Sequence, residues 1–458
     1  MNLEELHCLS PLDGRYRKAT SDLRAYFSER ALVENRVRVE VVYLIKLVGF
    51  FNQGYELKLR EVRNLINWSE NLGDKEIRKV KKIEAKIKHD VKAVEYLIRE
   101  KLRKMGLKKL EPWVHWGMTS EDVNNLAYNM MLSEAKEKVM VKSQAKLVKE
   151  LVSMAEKYKD TVMPGRTHGQ LAVPTTLGKE LIVFASRMSQ WLAEIKELKL
   201  GGKLNGAVGN YNGHQKFFPE IDWLKFSKEL VESLGLSWTM ITTQIEPRTK
   251  MVKLLDLVRQ FNNVGLDLAR DMWLYVAFDY LKQRVVKEEV GSSTMPQKVN
   301  PISFENAEGN FEMANGVLMT LSNKLSQSRM QRDLSDSTVR RSLGVALGYS
   351  LVGIKSLVKG LDRVEPNKKK LKQELQDHPE MLAEAIQLEL KIKGKAGAYE
   401  KVKALHSQGK FCKDFSTNDI HHSVIGKSLG RVEEYVGLAE KLVEKEIKLI
   451  NKRLGAQT

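Results

Sequence analysis

Residues 119–159 read TSEDVNNLAYNMMLSEAKEKVMVKSQAKLVKELVSMAEKYK. No proline interrupts this run, and Thr119 followed three residues later by Asp122 resembles a capping box. The acidic side chains of Glu121 and Asp122 suit the positive end of a helix. The run therefore predicts one helix that begins near Thr119 and continues to about Lys159. At 1.5 Å per residue such a helix is roughly 60 Å long, and it is stable only when other long helices pack beside it.

Three further segments carry one apolar stripe each, at the spacing of a helix. The stripes consist of Leu181, Phe184, Met188, Trp191, Ile195 and Leu198; of Leu254, Val258, Phe261, Val264, Leu268, Met272 and Tyr275; and of Leu343, Leu347, Leu351, Ile354, Val358 and Leu361. Each stripe predicts a helix of about 25 residues or more. Gly344 and Gly348, one turn apart, predict that a neighbouring segment approaches this last helix closely.

The fold class predicted from these patterns is all-α, with a long central helical bundle. Pro112 and Pro366 each follow a helical segment, which places soft boundaries near residues 111 and 364. We predict an N-terminal helical domain at 1–111, a central long-helix bundle at 112–364 and a C-terminal helical domain at 365–458. Strands are expected only as short pieces in the glycine-rich stretch from Gly201 to Tyr211.

The composition is that of a globular protein, since 42% of the 458 residues are hydrophobic. The two cysteines, Cys8 and Cys412, exclude a disulfide framework and fit a reducing compartment. The N-terminal residues lack the pattern of a signal peptide, and the apolar run at 41–51 is far shorter than the ~20 residues of a membrane helix. We therefore expect a cytoplasmic protein.

The formal net charge of +18 suggests nucleic-acid binding as an alternative function. The positive excess is spread along the chain and is not concentrated in one tail, which favours a solvated cationic surface that attracts small anionic substrates. The motifs G-x-x-x-x-G-K-[ST], G-x-G-x-x-G and H-E-x-x-H do not occur in the sequence. We expect neither a cofactor nor a metal.

Two polar segments stand out between the predicted helices. In Met163–Gln170, prolines at 164 and 174 prevent a continuous helix, and His168 could act as a general acid or base near neutral pH. A structural, hydrogen-bonded histidine is the alternative. In GSSTMPQKVNP, residues 291–301, two serines, a lysine and an asparagine share a loop shaped by glycine and proline. Such a loop could stabilise an alkoxide base and close over a substrate, or it is an ordinary exposed loop.

The loop at 291–300 matches the signature G-S-S-x-M-P-x-K-x-N of the fumarase/aspartase superfamily at every fixed position. Other segments resemble the adenylosuccinate lyases within it. They are SPLDGRY at 10–16, HDVKAVEY at 89–96, TSED at 119–122, RTHGQ at 166–170, TQIEP at 243–247 and RDLSDST at 332–338. The histidine-asparagine motif of fumarases is not seen where Thr119-Ser120 stands. The resemblance covers the chain from about Ser10 to beyond residue 400.

This resemblance implies a three-domain fold and elimination of fumarate from adenylosuccinate, giving AMP, and from succinylaminoimidazole carboxamide ribotide. It implies that Ser292 is the base that removes a proton and that His168 is the acid that protonates the leaving nitrogen. Ser293, Lys298 and Asn300 would steady the loop and the charge-delocalised intermediate, and Val299 beside them would belong to the substrate-binding residues. It also implies a homotetramer whose active sites each form where three subunits meet, a purine nucleotide as substrate, no nucleic acid and no membrane.

The same resemblance implies a set of substrate-binding residues. Arg15 and Tyr16 would hold the phosphate, and Thr119 and Ser120 would donate hydrogen bonds to a succinyl carboxylate. The remaining members of the set are His89, Asp90, Val91, Gln244, Asn306, Arg332, Ser337, Thr338, Val339, Arg340 and Arg341. Ile87 departs from the family, which often has threonine there, so a hydroxyl contact is not expected at that position. The rivals are argininosuccinate lyase or aspartase, whose substrates lack the phosphate that Arg15-Tyr16 would bind.

Overall fold

The computed structural model describes residues 6–50, 57–284, 295, 298–408 and 430–455. The described residues form mostly helices, as the apolar stripes predict. The α-helices are Arg17–Thr20, Arg24–Phe27, Glu29–Phe50, Leu59–Glu70, Asp74–Ile87, Asp90–Lys104, Ser120–Ala135, Val141–Lys157, Leu177–Glu197, Asn212–Phe217, Trp223–Ser233, Thr249–Ala277, Ile302–Leu325, Ser335–Arg340, Leu343–Leu361, Lys368–Asp377, Ala383–Ile392, Ala398–Ser407 and Ala439–Leu454. Short 3₁₀ turns lie at Ser21–Leu23, Lys108–Trp113, Pro379–Leu382 and Val432–Glu434.

The predicted helix at 119–159 is confirmed, with one irregularity. It runs as Ser120–Ala135 and Val141–Lys157, joined without a break by the π-helical segment Lys136–Met140. The buried ammonium group of Lys136 donates a hydrogen bond to the carbonyl oxygen of Leu198, 2.8 Å away. A π-turn inserts one residue into a helix, so this segment shifts the register of the buried face on its C-terminal side.

The predicted lengths of the other long helices are right in one case of three. Thr249–Ala277 has 29 residues, but Leu177–Glu197 has 21 and Leu343–Leu361 has 19. Leu177–Glu197 is shorter because the chain before it forms a strand up to Thr176. Leu343–Leu361 is shorter because the chain turns at residues 341–342, where the N–H of Ser342 donates to the carbonyl oxygen of Val339.

Three two-stranded sheets accompany the helices in the described part of the chain. β1 (Val162–Thr167) and β2 (Gln170–Thr176) form an antiparallel hairpin, β3 (Gly201–Gly202) and β4 (Ser237–Trp238) pair in parallel, and β5 (Leu281–Gln283) and β6 (Val364–Pro366) pair antiparallel. The expected strand near Gly201 is confirmed. The β1–β2 hairpin was not predicted, and the expectation that strands occur only near Gly201 is wrong.

The chain divides into two compact units, each discontinuous in sequence. The first comprises residues 1–142, 194–260 and 312–352, and the second comprises 143–193, 261–311 and 353–458. An apolar core in the first unit brings the helix Glu29–Phe50 together with the segments between Leu65 and Val114. In the second unit, one small core joins Leu375 and Met381 to Val162 and Leu171 of the hairpin. The division at residues 111 and 364 stays a prediction.

The first half of the last predicted long helix, residues 343–352, packs closely within the first unit. A Cβ atom at Gly344 would lie 2.5 Å from the Cβ of Phe27, and one at Gly348 would lie 3.0 Å from Leu12. The predicted close approach is therefore confirmed. Among the described residues, the stretch Ser335–Leu361 is long and apolar enough to cross a membrane. Its most apolar 18 residues are 61% buried inside the structure.

Candidate functional site

Thr119 and Ser120 lie at the start of the long helix of the first unit. The backbone N–H of Thr119 donates a hydrogen bond to Asp122 Oδ2 over 2.9 Å, as the capping sequence predicts. Both residues are half-buried. The first N–H groups of a helix have no partner within it, so this end can bind a carboxylate.

Asp122 connects this helix end to the glycine-rich segment around β3. Its fully buried carboxylate accepts from Lys203 Nζ at 2.8 Å, and from the backbone N–H groups of Asn205 and Gly206 at 3.1 Å each. Lys203 also donates to the carbonyl oxygen of Gly206. The conformation of residues 203–206 is therefore fixed by the same carboxylate that caps the helix.

Glu121, the neighbouring residue, is surrounded by arginine side chains. Its carboxylate accepts from Arg340 at 2.9 and 3.0 Å, from Arg332 at 2.7 Å and from Arg248 at 3.4 Å. Burial alone would raise the pKa of this carboxyl, but these guanidinium groups lower it to about 2. Asp336 accepts from Arg248 and, at 3.2 Å, from Arg340. We call these five residues the arginine cluster.

Two predicted substrate-binding residues, Arg332 and Arg340, belong to the arginine cluster but differ in exposure. Arg340 is 2% exposed and both of its terminal nitrogens contact Glu121, so its guanidinium is occupied by the protein itself. The Arg332 side chain is 14% exposed and, with Gln244, lines a cavity of about 410 Å³. Gln244 reaches this cavity because its Nε2 donates to the carbonyl oxygen of Ala207. Arg332 and Gln244 are thus brought together.

The other predicted residues of segment 337–341 lie at the end of the helix Ser335–Arg340 and just beyond it. Thr338 and Arg341 are exposed, whereas Ser337 and Val339 are half-buried. Arg341 contacts Glu29 at 3.4 Å and lines a cavity of about 250 Å³ beside residues 10–28.

Arg15 and Tyr16 belong to the N-terminal segment that borders this cavity. Arg15 is exposed and Tyr16 is half-buried. The segment is folded back on itself, because the Thr20 hydroxyl donates to the carbonyl oxygen of Leu12 at 2.8 Å. The structure thus places Arg341 in one cavity with residues that flank Arg15-Tyr16.

His89, Asp90 and Val91 begin the helix Asp90–Lys104. The exposed His89 caps it, with Nδ1 accepting from the N–H of Lys92 at 3.1 Å. Asp90 pairs with the buried Arg36 at 2.5 Å; burial would raise the pKa of this carboxyl, but Arg36 lowers it. The side chain of Val91 is buried in the core. His89 therefore has an accessible ring, whereas Asp90 and Val91 contribute mainly to the fold of this helix end.

His168 lies at the tip of the β1–β2 hairpin in the second unit. Thr167 pairs with Gln170, so His168 and Gly169 form a two-residue turn with φ of 54° and 76°. The His168 side chain is exposed. Gly165 is required in β1, because a Cβ there would lie 2.5 Å from the carbonyl oxygen of Val173.

The signature loop is described only in part. Ser292 and Ser293 lie outside the described residues. Lys298 and Val299 are exposed, Asn300 is half-buried, and the carbonyl oxygen of Val299 accepts from Gln283 Nε2 at 3.0 Å. Asn306, in the first turns of Ile302–Leu325, donates to Ser356 Oγ at 2.7 Å. Across the described residues, no group of three or more His, Cys, Asp or Glu side chains could hold a metal ion.

Sequence reasoning missed the buried partners of these residues. Glu121 was interpreted only as a charge at a helix end, and Asp336 and Arg248 were not singled out. The i, i+4 spacing of Arg332, Asp336 and Arg340 was a signal for ion pairs on one helix face. Nothing in the sequence indicates that Glu121, 211 residues from Arg332, faces them.

Comparisons with known proteins identify the family of this chain. A family model described as "Lyase" matches residues 14–316, and one described as "Adenylosuccinate lyase C-terminal" matches residues 328–431. An adenylosuccinate lyase of Haemophilus influenzae is 44% identical over 408 residues, covering 88% of this chain and 90% of the relative. One of Legionella pneumophila (strain Corby) is 41% identical over 455 residues, covering 97% and 99%. The chain belongs to the adenylosuccinate lyase family.

Solved structures support the fold expected of an adenylosuccinate lyase family member. The 3-carboxy-cis,cis-muconate lactonizing enzyme of Pseudomonas putida superposes with a TM-score of 0.77 at 19% identity, covering 98% of this chain and 99% of that one. A fumarate lyase of Mesorhizobium sp. BNC1 gives 0.74 at 16% identity, covering 95% and 98%. The predicted fold class and the family resemblance are confirmed. The adenylosuccinate lyase C-terminal match includes the whole segment from Arg332 to Arg341.

Proposed function

We propose that this chain is an adenylosuccinate lyase that eliminates fumarate from adenylosuccinate, giving AMP. The observation that carries the proposal is the match of residues 328–431 to the C-terminal family model, because this region holds the accessible Arg332 and Arg341. The complete signature loop at 291–300 supports the same reaction type. A planar guanidinium suits bidentate contact with phosphate or carboxylate.

The chemistry is a general acid–base elimination. The Ser292 alkoxide takes a proton from the carbon β to the departing nitrogen, the C–N bond breaks, and the electron pair of the C–H bond becomes the double bond of fumarate. The leaving nitrogen takes a proton from the His168 imidazolium and remains on the purine. The proton next to a carboxylate is weakly acidic, so the developing charge requires preplaced donors. Ser293, Lys298 and Asn300 supply them in this proposal.

Substrate binding divides between carboxylate and phosphate contacts. Thr119 and Ser120 bind a succinyl carboxylate at the helix N-terminus, and Arg15, Tyr16, Arg332 and Arg341 bind anionic groups of the nucleotide. His89, Gln244, Asn306, Ser337, Thr338 and Val339 complete the site. Asp90, Val91 and Arg340, whose side chains are engaged by the protein, act through their backbone or by holding neighbours in place.

The same site accepts succinylaminoimidazole carboxamide ribotide, because that substrate carries the same succinyl-nitrogen bond and the same phosphate. Argininosuccinate and aspartate lack the phosphate, and they serve as the controls for specificity. The experiment follows the fall in absorbance as purified protein converts adenylosuccinate to AMP and fumarate. No turnover by folded protein, or faster turnover of argininosuccinate or aspartate, contradicts the proposal.

The proposed active assembly is a homotetramer with sites shared among three subunits. The helix Ile302–Leu325 supports it: Ile302 and Met313 lie three turns apart on one helix face and are 54% and 53% exposed. Exposed apolar side chains that share one helix face, unlike scattered ones, are typical of surfaces that another copy covers. Light scattering after size-exclusion chromatography tests the assembly, and a fully active monomer contradicts it.

A further inference from the structure

The turn that carries His168 is strained. His168 adopts φ of 54°, in the left-handed region, which is unfavourable for a residue with a Cβ. Two-residue hairpin turns of this kind normally favour asparagine or glycine at this position. A histidine persists there only when its surroundings determine the conformation. Groups outside the turn therefore hold its conformation.

Arg166, two residues before His168, holds the turn from inside the hairpin. Its Nη1 donates to the carbonyl oxygen of Gly169 at 3.0 Å, which closes the turn around His168. Its other nitrogens leave the hairpin: Nε donates to the Tyr280 hydroxyl at 3.1 Å and Nη2 to Glu374 Oε1 at 2.7 Å. The guanidinium carbon also lies 4.7 Å from the ring centre of Phe278. Every nitrogen of this guanidinium thus has a partner.

Tyr280 and Glu374 are themselves fixed. Both are buried, and the Tyr280 hydroxyl donates to Glu374 Oε1 at 2.6 Å. Burial and the Glu374 carboxylate raise the pKa of Tyr280 to about 12, so it stays a donor. Burial would raise the pKa of Glu374, but hydrogen bonds from Tyr280, Lys370 and Arg166 lower it. The three groups therefore form a closed and charged hydrogen-bond network behind the turn.

We infer that Arg166, Tyr280 and Glu374 form a brace that fixes the orientation of the His168 ring for proton transfer. This inference rests on the proposed role of His168 in the elimination. The three are positioning residues, since the contacts described here reach the turn and not the reacting atoms. The brace connects the hairpin to the helix Lys368–Asp377, so this C-terminal helix contributes to the position of His168.

The first test replaces the centre of the brace. Arg166→Met removes the hydrogen bond to Gly169 and those to Tyr280 and Glu374. We expect kcat for adenylosuccinate to fall about 100-fold, because a misplacement of about 1 Å costs that much. KM stays within about threefold, since the brace does not bind substrate. Arg166→Lys keeps one charged donor and restores part of kcat. Tyr280→Phe, which keeps the ring, lowers kcat less than Arg166→Met does.

Lys370 provides the matched control. Its Nζ contacts the other oxygen of the same carboxylate, Glu374 Oε2, at 3.0 Å. Among the described residues, no hydrogen bond or ion pair joins Lys370 to residues 167–170. Lys370→Gln therefore leaves kcat within about twofold of the wild-type value. Melting temperatures of all variants establish that they are folded. If Arg166→Met does not fold, the same measurement of kcat is made on Arg166→Lys and Glu374→Gln.

The second test uses the pH profile, which a merely structural role would not change. The alkaline limb of kcat/KM reports loss of the proton from the general acid. Glu374→Gln removes the negative charge of the brace and shifts this limb to lower pH, whereas Arg166→Met removes its positive charge and shifts it to higher pH. Arg166 and Tyr280 also line a cavity. Its other titratable side chains are unchanged in both variants: Lys179, Glu180, Asp271 and Tyr275.

The possible outcomes distinguish a failure of the brace hypothesis from a failure of the proposed function. Opposite shifts of the alkaline limb, with a lower kcat and a constant KM, support the brace. A kcat for Arg166→Met within threefold of wild type, or limbs that do not move or move in the same direction, overturns it. Wild-type protein that does not act on adenylosuccinate contradicts the proposed function instead.

Discussion

At the scale of single residues, several side chains that were predicted to bind substrate have a partner within the protein. Arg340 was expected to bind substrate, yet its guanidinium is buried against Glu121. The sequence identified Arg332 and Arg340 through motifs, and both contact Glu121, but it could not show that only Arg332 of the two also lines a cavity. That difference depends on which side of the helix Ser335–Arg340 packs on Glu121, and no local pattern encodes it.

Replacing Glu121 with glutamine tests the arginine cluster. Glu121→Gln leaves three guanidinium groups around one remaining carboxylate, Asp336, and breaking a buried pair in this way costs about 3–5 kcal/mol. We expect the free energy of unfolding in urea to fall by about that amount. Glu100→Gln is the control, because Glu100 pairs with Lys79 and Lys104 at the surface and its loss costs less than about 1 kcal/mol. Equal losses in the two variants would contradict a buried role for Glu121.

His214 predicts a pH dependence of stability. It is fully buried, and burial lowers its pKa to about 4, although Asp122 raises it slightly. Its Nε2 lies 3.1 Å from the Tyr43 hydroxyl. The unfolded chain binds this proton at a pKa of about 6.5, so the folded state loses stability as the pH falls from about 6.5 towards 4.

The measurement compares wild type with His214→Phe in urea from pH 7 to pH 4. The wild-type free energy of unfolding should fall by about 2–3 kcal/mol more than that of the variant over this range. His115 acts in the opposite direction. Burial lowers its pKa, but Glu40 and Glu95 raise it overall, so its contribution to stability is complete below pH 6.5 and is lost at higher pH. The difference between the two proteins cancels that contribution, and parallel curves would exclude a neutral, buried His214.

At the scale of secondary-structure elements, the long helices were predictable and the hairpin was not. Apolar residues at steps of three and four, together with the positions of proline, indicate a helix whatever it packs against. The β1–β2 hairpin lacks alternation and has proline in both strands, and its two-residue turn is His-Gly. Contacts of Val162 and Leu171 with the core of the second unit stabilise it instead. Those contacts come from residues more than two hundred positions away.

Gly344 tests the close packing of the helix Leu343–Leu361. Gly344→Ala places a methyl group 2.5 Å from the Cβ of Phe27, so we expect the free energy of unfolding to fall by about 1–3 kcal/mol. The control is Gly49→Ala in the helix Glu29–Phe50, where a Cβ meets no described atom within 4 Å. There, alanine should be neutral or stabilise by up to about 1 kcal/mol, because it is the better helix former. A neutral Gly344→Ala would contradict the close approach.

At the scale of the whole molecule, 41% sequence identity to a Legionella pneumophila relative over 97% of this chain establishes the fold and the family. The sequence could not assign partners between subunits, because the predicted site residues are spread over more than 300 positions. Exposed apolar side chains on the helix Ile302–Leu325 are the feature that a tetramer would explain.

Met313→Glu tests the assembly. A charge in the centre of a covered apolar face opposes association, so we expect light scattering to show smaller species and kcat to fall with them. Leu59→Glu is the matched control: Leu59 is 65% exposed on the separate helix Leu59–Glu70, and its replacement should leave mass and activity unchanged. A tetramer of unchanged stability in Met313→Glu would exclude this face from the interface.

The arginine cluster also has a consequence for the ligand-free protein. Its three guanidinium groups face two carboxylates, which leaves a surplus positive charge beside the cavity that Arg332 and Gln244 line. A small tetrahedral oxyanion would neutralise it. Millimolar sulfate should therefore raise the thermal midpoint of the empty enzyme more than chloride does at the same ionic strength, and Arg332→Gln should abolish the difference. The positive charge of the ligand-free site would then be balanced only when an anionic ligand binds.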